Sequence, residues 1–310
     1  MWLREFGGPE ALVAGEAPEP APGAGEVVVD VAFANITFVE TQMRAGLPGP
    51  FKPELPVIPG NGVGGTVAGR RVIGSTGGSG GYAERAAVDD SVLYDVPGGL
   101  ALDAAVALLA DGRTATMLVR AADVRDGETV LVEAAAGGVG SLLVQLARAA
   151  GATVVAAAGG GRKLALAREL GAAYAVDYRV AGWANAVGEV DVVFDGVGGA
   201  IARAAFGQLV RGGRMVSFGL ASGRWSDVGA EETAARGVEL VRPGRPSGEE
   251  QRELSESALA EAVAGRLRPV IGQRFPLERA ADAHAAIESR ATIGKTLLEV
   301  APAVDRAARG

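Results

Sequence analysis

At 310 residues the chain is long enough for one large domain or two medium ones with an ample core. Hydrophobic residues make up 48% and charged residues 22%, the balance of an ordinary globular protein and not of a disordered or fibrous one. A net charge of −7 argues against non-specific binding to nucleic acid or anionic membranes, and the absence of cysteine excludes disulfides and thiolate metal ligands.

No run of 18 apolar residues occurs, and MWLREFGGPE lacks the pattern of a signal peptide, so a cytoplasmic location is expected. Residues 1–97 read as β-rich. GEVVVDVAFANI (25–36) has a strand's length and β-branched content, and GGYAERAAV (80–88) reads as a shorter strand. EAPEPAPGAGE (16–26), GLPGPFKPELPVIPGNGVGG (46–65) and GSTGGSGG (74–81) are dense in Pro and Gly and read as loops, the first as a connection between strands.

From Leu102 the pattern changes. Ala105, Leu108 and Leu109 share one face of a helix, and the stretch beyond predicts a second one. Strands are then expected at 130–133, 153–157, 174–176, 191–194, 214–217 and 238–241, with helices at about 139–150, 162–170 and 201–210. Six strands alternating with helices predict an α/β fold with a doubly wound parallel sheet of the Rossmann kind. VELV (238–241) comes last in that order and is expected at an edge. PGRPSGEEQREL then links to a helix at 249–267, a strand at 270–275, a helix at 279–289 and a strand at 295–300, a return segment too small to stand alone. The expected division is 100–243 as the dinucleotide-binding domain and 1–99 with 244–310 as the β-rich one.

VLVEAAAGGVG (130–140) organises this plan. An apolar strand runs into a glycine turn and then a helix on which Val139, Leu142, Leu143 and Leu146 share a face. That order points backbone N–H groups and a positive dipole end toward an anion. The dinucleotide fingerprint G-x-G-x-x-G stands here with Ala135 in the first glycine's place, then Gly137 and Gly140. Where an NAD site places a ribose-binding carboxylate, the chain has Gly159, Gly160 and Gly161, then Arg162 and Lys163. A 2′-phosphate fits two cations better, so NADP(H) is expected. Arg162 and Lys163 also read as a solvated first helical turn, although cations are unfavourable at that end.

A β-rich front, a central dinucleotide fold and a short returning tail resemble the medium-chain dehydrogenase/reductase superfamily, and within it the zinc-independent quinone oxidoreductase branch. The resemblance spans nearly the whole chain and rests on Ala134 through Gly140 followed by Gln145 and Ala147, with GGYAE (80–84), DGRTA (111–115), DGVGG (195–199), SFGLASG (217–223) and GK (294–295) in order. It implies that the β-rich domain is GroES-like and catalytic. It also implies hydride transfer from NADPH to a quinone or similar conjugated carbonyl, and a homodimer joined through the 238–241 edge, the alternative being a monomer in which loop 219–237 folds over that edge. By the same resemblance the cofactor site comprises Thr114, Gly137, Gly138, Val139, Gly140, Gly159, Arg162, Lys163, Tyr178, Val197, Phe218, Gly219 and Lys295, and the acceptor meets Thr37, Gln42 and Asp111. Asp111 also reads as a helix-end carboxylate ahead of Gly112, and Val197 and Phe218 as core.

PGNGVGG (59–65) carries Asn61 and Gly62 where zinc-dependent relatives place His and Glu, so no metal is expected. The single histidine, His284, lies at the edge of an apolar helix face and is expected to be packed or at its rim, not catalytic. TFVETQMRAG (37–46) departs from the branch's Asn-x-x-Asp-x-x-x-Arg-x-Gly: Thr37 and Glu40 replace Asn and Asp, and Gln42 stands where Tyr is frequent. No catalytic acid can be named from the sequence. An enoyl or alkenal reductase on the same scaffold, and an NADPH-binding protein without turnover, are the other readings.

Overall fold

Two short strands, β1 (Trp2–Leu3) and β2 (Leu12–Val13), precede the valine-rich run, which folds as β3 (Glu26–Ile36) in the computed structural model. The described residues are 1–48 and 53–300; residues 49–52 of the expected loop and 301–310 of the expected tail lie outside them. Helix α1 (Phe38–Arg44) follows, then β4 (Gly62–Val67), β5 (Arg70–Ser75), β6 (Arg85–Asp89) and β7 (Leu93–Asp95). The strand expected at 80–88 is thus only its second half, and parts of β4 and β5 occupy stretches expected to be loops. Glycine disguised β4: a Cβ at Gly65 would overlap the Asp30 carbonyl oxygen of β3, so this strand approaches its partner without side chains.

Helix α2 (Leu102–Ala122) is one unbroken helix of 21 residues, not two. Gly112 lies buried in its interior and does not end it. The alternation that follows gives β8 (Thr129–Glu133), α3 (Gly138–Ala149), β9 (Thr153–Ala158), α4 (Gly161–Glu169), β10 (Tyr174–Asp177), β11 (Val190–Asp195), α5 (Gly199–Phe206), β12 (Leu209–Ser217), α6 (Ala230–Arg236) and β13 (Glu239–Val241). These six strands pair in parallel in the order β10-β9-β8-β11-β12-β13, the doubly wound order with its switch point beside β8. Helix α5 ends earlier than expected because Leu209 already belongs to β12.

Helix α7 (Gly248–Val263) opens with a reciprocal cap between Ser247 and Glu250 and is followed by Gly265 at φ +72°. Strand β14 (Ile271–Pro276), α8 (Ala280–Glu288) and β15 (Lys295–Glu299) close the chain. β14 and β15 join β3, β4, β5, β6 and β7 in a seven-stranded mixed sheet. The chain divides into two compact units, 1–110 with 269–310 and 111–268. Residues 244–268 therefore go with the six-stranded sheet, because Glu253 of α7 bonds Arg120 and Gln251 bonds Arg113, both on α2. Each unit has its own apolar core, one built around Val29, Val63, Tyr82 and Leu298, the other around Leu131, Val193, Phe206 and Met215. No helix among the described residues is long and apolar enough to cross a membrane.

Candidate active site

In the six-stranded unit, β8 delivers the chain to the sheet's carboxyl edge at Glu133. The next residue, Ala134, takes the left-handed conformation at φ +48°, and its carbonyl accepts from Gly137 N at 2.8 Å. Helix α3 starts at Gly138. A Cβ at Gly140 would overlap the Ala134 carbonyl oxygen, so glycine is what lets α3 begin this close to the strand. With Gly137 as N-cap and no side-chain cap, the first N–H groups of α3 are left for an anion.

Asp111 reaches the same place. It is buried in the middle of α2, which corrects the helix-end reading, and its Oδ2 occupies the space a Cβ at Gly138 would fill. Thr114 lies one turn further along α2, half-buried.

The adenosine end is built by the β9–α4 turn. Gly160 N donates to Asp177 Oδ2 at 3.1 Å, and Arg179 clasps the same carboxylate through Nε at 3.0 Å and its terminal nitrogen at 2.7 Å. This clasp, with added backbone N–H bonds, holds the Asp177 carboxyl well below the usual carboxylate range. A Cβ at Gly159 would stand 3.2 Å from the Tyr178 ring and 3.3 Å from Arg179 Cδ, so both side chains lie over this turn. Tyr178 also meets Trp183 edge to face at 6.5 Å. Arg162 and Lys163 stand in the first turn of α4. The turn thus gathers three cations and one carboxylate already matched by Arg179. Sequence reasoning missed Asp177 and Arg179; their signal was the end of the third strand beside Tyr178.

Further along the edge, Val197 N donates to Asp195 Oδ1 at 3.1 Å and to Glu133 Oε2 at 3.3 Å, while Ser217 Oγ donates to Asp195 Oδ2 at 2.8 Å. Burial, and then the neighbouring Asp195, push the Glu133 carboxyl well above its ordinary range. Val197 itself is buried, and Phe218 lies half-buried against Gly196 with Gly219 beside it.

The mixed-sheet unit carries a second polar cluster. Thr37, half-buried, caps α1; its N–H and Oγ1 donate to Glu40 Oε2 at 2.6 and 2.9 Å, and Asn61 N donates to Glu40 Oε1 at 2.9 Å. Glu40 is 2% exposed, and burial raises its carboxyl above the usual range against the opposing pull of these N–H groups, Thr37 and the charge of Lys295. Lys295, expected at the cofactor, sits buried on β15 in this unit. Gln42 is buried on α1. Tyr82 hydrogen-bonds His284 Nε2 at 3.0 Å, and Arg44 bonds the Gly7 carbonyl and Glu288. His284 is fully buried, the packed of the two expected readings; desolvation takes its pKa down to about 3.

The sequence model of the family described as "Zinc-binding dehydrogenase" matches residues 170–298. A protein of Schizosaccharomyces pombe named "Probable quinone oxidoreductase" is 37% identical over 309 residues, covering 93% of this chain and 92% of that one. The quinone oxidoreductase of Pseudomonas aeruginosa is 32% identical, covering 94% and 97%. Among solved structures, the Escherichia coli quinone oxidoreductase complexed with NADPH is 29% identical with a TM-score of 0.88, covering 96% of this chain and 98% of that one. The quinone oxidoreductase from Thermus thermophilus, solved alone and with NADPH, is 35% identical with a TM-score of 0.81 over the same shares.

The family description mentions zinc, but the donor chemistry does not fit one. A catalytic zinc takes about three protein ligands, chiefly His and Cys. Here there is no cysteine, the single histidine turns Nε2 to a tyrosine in the core, and Asn61 Oδ1 accepts from Ser75 at 3.0 Å. Among the described residues no three of His, Cys, Asp and Glu gather.

Proposed function

Because the chain belongs to the quinone oxidoreductase branch of the medium-chain dehydrogenase/reductase superfamily, we propose that it transfers hydride from NADPH to a quinone or similar conjugated carbonyl acceptor, without zinc. The observation that carries this reading is the β9–α4 turn, where Arg162 and Lys163 open α4 beside Arg179, and Asp177 is paired with Arg179. A 2′-phosphate suits that concentration of cations better than a bare 2′-hydroxyl does. NADPH bound there supplies the hydride.

In this reading the α3 N-terminus, through Gly137, Gly138, Val139 and Gly140, takes the pyrophosphate. Gly159, Tyr178 and the three cations take the adenosine end, while Val197, Phe218, Gly219 and Thr114 line the carboxyl edge toward the nicotinamide. Asp111 holds the α2–α3 junction and helps to shape the acceptor side. On the resemblance, Thr37 and Gln42 meet the acceptor and Lys295 meets the cofactor. Without a Lewis acid, the acceptor must be electrophilic on its own, which selects quinones and enones over simple ketones.

The protein works in the cytoplasm as a homodimer in this account. β13 pairs only with β12 among the described residues, leaving an apolar outer edge, and two such edges pair across a two-fold axis. The functional assignment is tested by following NADPH oxidation with a panel of quinones and enones: turnover with at least one supports it, and none refutes it.

A further inference from the structure

Glu133 ends β8 and Asp195 ends β11, the strand beside it, and both side chains are wholly buried. They meet at one donor: Val197 N bonds Asp195 Oδ1 at 3.1 Å and Glu133 Oε2 at 3.3 Å. Asp195 also accepts from Gly198 N at 2.7 Å and from Ser217 Oγ at 2.8 Å. Glu133 Oε1, by contrast, is buried without a hydrogen-bond partner. The donors therefore mark Asp195 as the ionised member. A second buried charge sharing its donor cannot be sustained, so Glu133 carries a proton. Packing alone would be met by an apolar residue, as at Val130, Leu131 and Val132 of the same strand. Glu133 leads into the glycine turn, Asp195 holds N–H groups of the β11–α5 turn, and Ser217 leads into Phe218 and Gly219. From this geometry we infer that Glu133 is a positioning residue for NADPH: as a neutral acid it locks these three turns together through Asp195.

This role deepens the functional reading above and rests on it, because those turns are the ones assigned there to the dinucleotide. Neutral Glu133 hydrogen-bonds Asp195, whereas ionised Glu133 repels it and presses the ends of β8 and β11 apart. The proton is lost as pH rises through the raised pKa of Glu133. Below that point the lock is whole; above it, binding NADPH must take up one proton, and affinity falls. Asp195 is the titratable group that faces Glu133 from the neighbouring strand. Thr153–Ala158 of β9, residues 138–144 of α3, 199–202 of α5 and 215–217 of β12 carry no ionisable side chain. The other charged side chains around the three turns are Asp111 of α2, which meets Gly138, and Arg224, which is exposed and turns its carbonyl to Gly198.

Calorimetric titration with NADPH, from about pH 6 to about pH 10, tests this on the parent, Glu133→Leu and Glu133→Gln. The parent should show a flat Kd that then rises about tenfold per pH unit, with uptake of one proton. Glu133→Leu loses the hydrogen bond and should bind about tenfold more weakly at every pH. Glu133→Gln keeps a neutral donor at every pH, so it should restore the affinity and lack the proton-linked rise. Lys163 also titrates in the alkaline range, but it does so in all three proteins, so the difference between parent and Glu133→Gln reads Glu133. Infrared spectra of the protein without cofactor give a second readout, a protonated-carboxyl band of the parent that disappears in Glu133→Gln. The parent's pH profile needs no variant, which keeps the test open where a substitution folds poorly. Identical pH profiles in parent and Glu133→Gln, a parent Kd that stays flat, or identical infrared spectra would overturn the lock and leave the functional reading standing. A parent that binds no NADPH at any pH overturns both.

Discussion

Arg179 reads as an ordinary surface cation until Asp177 and Gly160 are placed beside it. Losing one charge-assisted contact to a phosphate costs about 1.5–3 kcal/mol. Arg179→Ala and Lys163→Ala should each weaken NADPH by that amount and leave NADH nearly unchanged. Trp183, packed edge to face on Tyr178, gives the fluorescence signal for the titration. Equal losses for both cofactors would move the phosphate elsewhere. His284 supports a prediction on stability. Its pKa is about 3 in the folded chain and about 6.5 unfolded, so below pH 6.5 the unfolded chain binds the extra proton and the folded one does not. Stability should therefore be lost progressively as pH falls from about 6.5 toward 3, and His284→Gln should flatten that part of the melting-temperature curve.

At the scale of elements, the glycine turn after β8 is the most constrained. Gly140→Ala would force a Cβ into the Ala134 carbonyl, overpacking that costs about 1–3 kcal/mol. Thermal unfolding should show a melting temperature lowered by about 2–4 °C per kcal/mol for a unit of this size, and an unchanged midpoint would contradict the close strand–helix contact. This turn, its six strands and their parallel order were legible because strands buried on both faces are continuous apolar runs broken by helical periodicity. α1 was hidden for the opposite reason: Glu40, Thr41, Gln42 and Arg44 are all buried, so the helix has a polar interior and no apolar stripe. β4 was hidden by the glycines that let it approach β3. Of the proposed cofactor residues, Gly137 and Gly140 are legible from spacing, and Lys163 from its place after the second strand together with the resemblance. Asp177 and Arg179, or the buried Tyr82–His284 pair, depend on residues that only tertiary structure brings together.

For the whole molecule, the open β13 edge predicts a dimer. Light scattering should give about twice the 31.2 kDa chain mass at micromolar concentration, and Leu240→Pro should return the monomer by removing a ladder donor. A parent protein that scatters as a monomer would rule out edge pairing. Because no set of side chains among the described residues fits zinc, activity should survive a strong chelator; loss restored by zinc would reverse that conclusion. The most direct test of the account is the initial rate of NADPH oxidation, compared with NADH, in the presence of a quinone and of an enone. The account predicts turnover with NADPH and at least one of these acceptors, and markedly less with NADH at the same concentration. Equal rates with the two cofactors, or no acceptor-dependent oxidation of either, would contradict it.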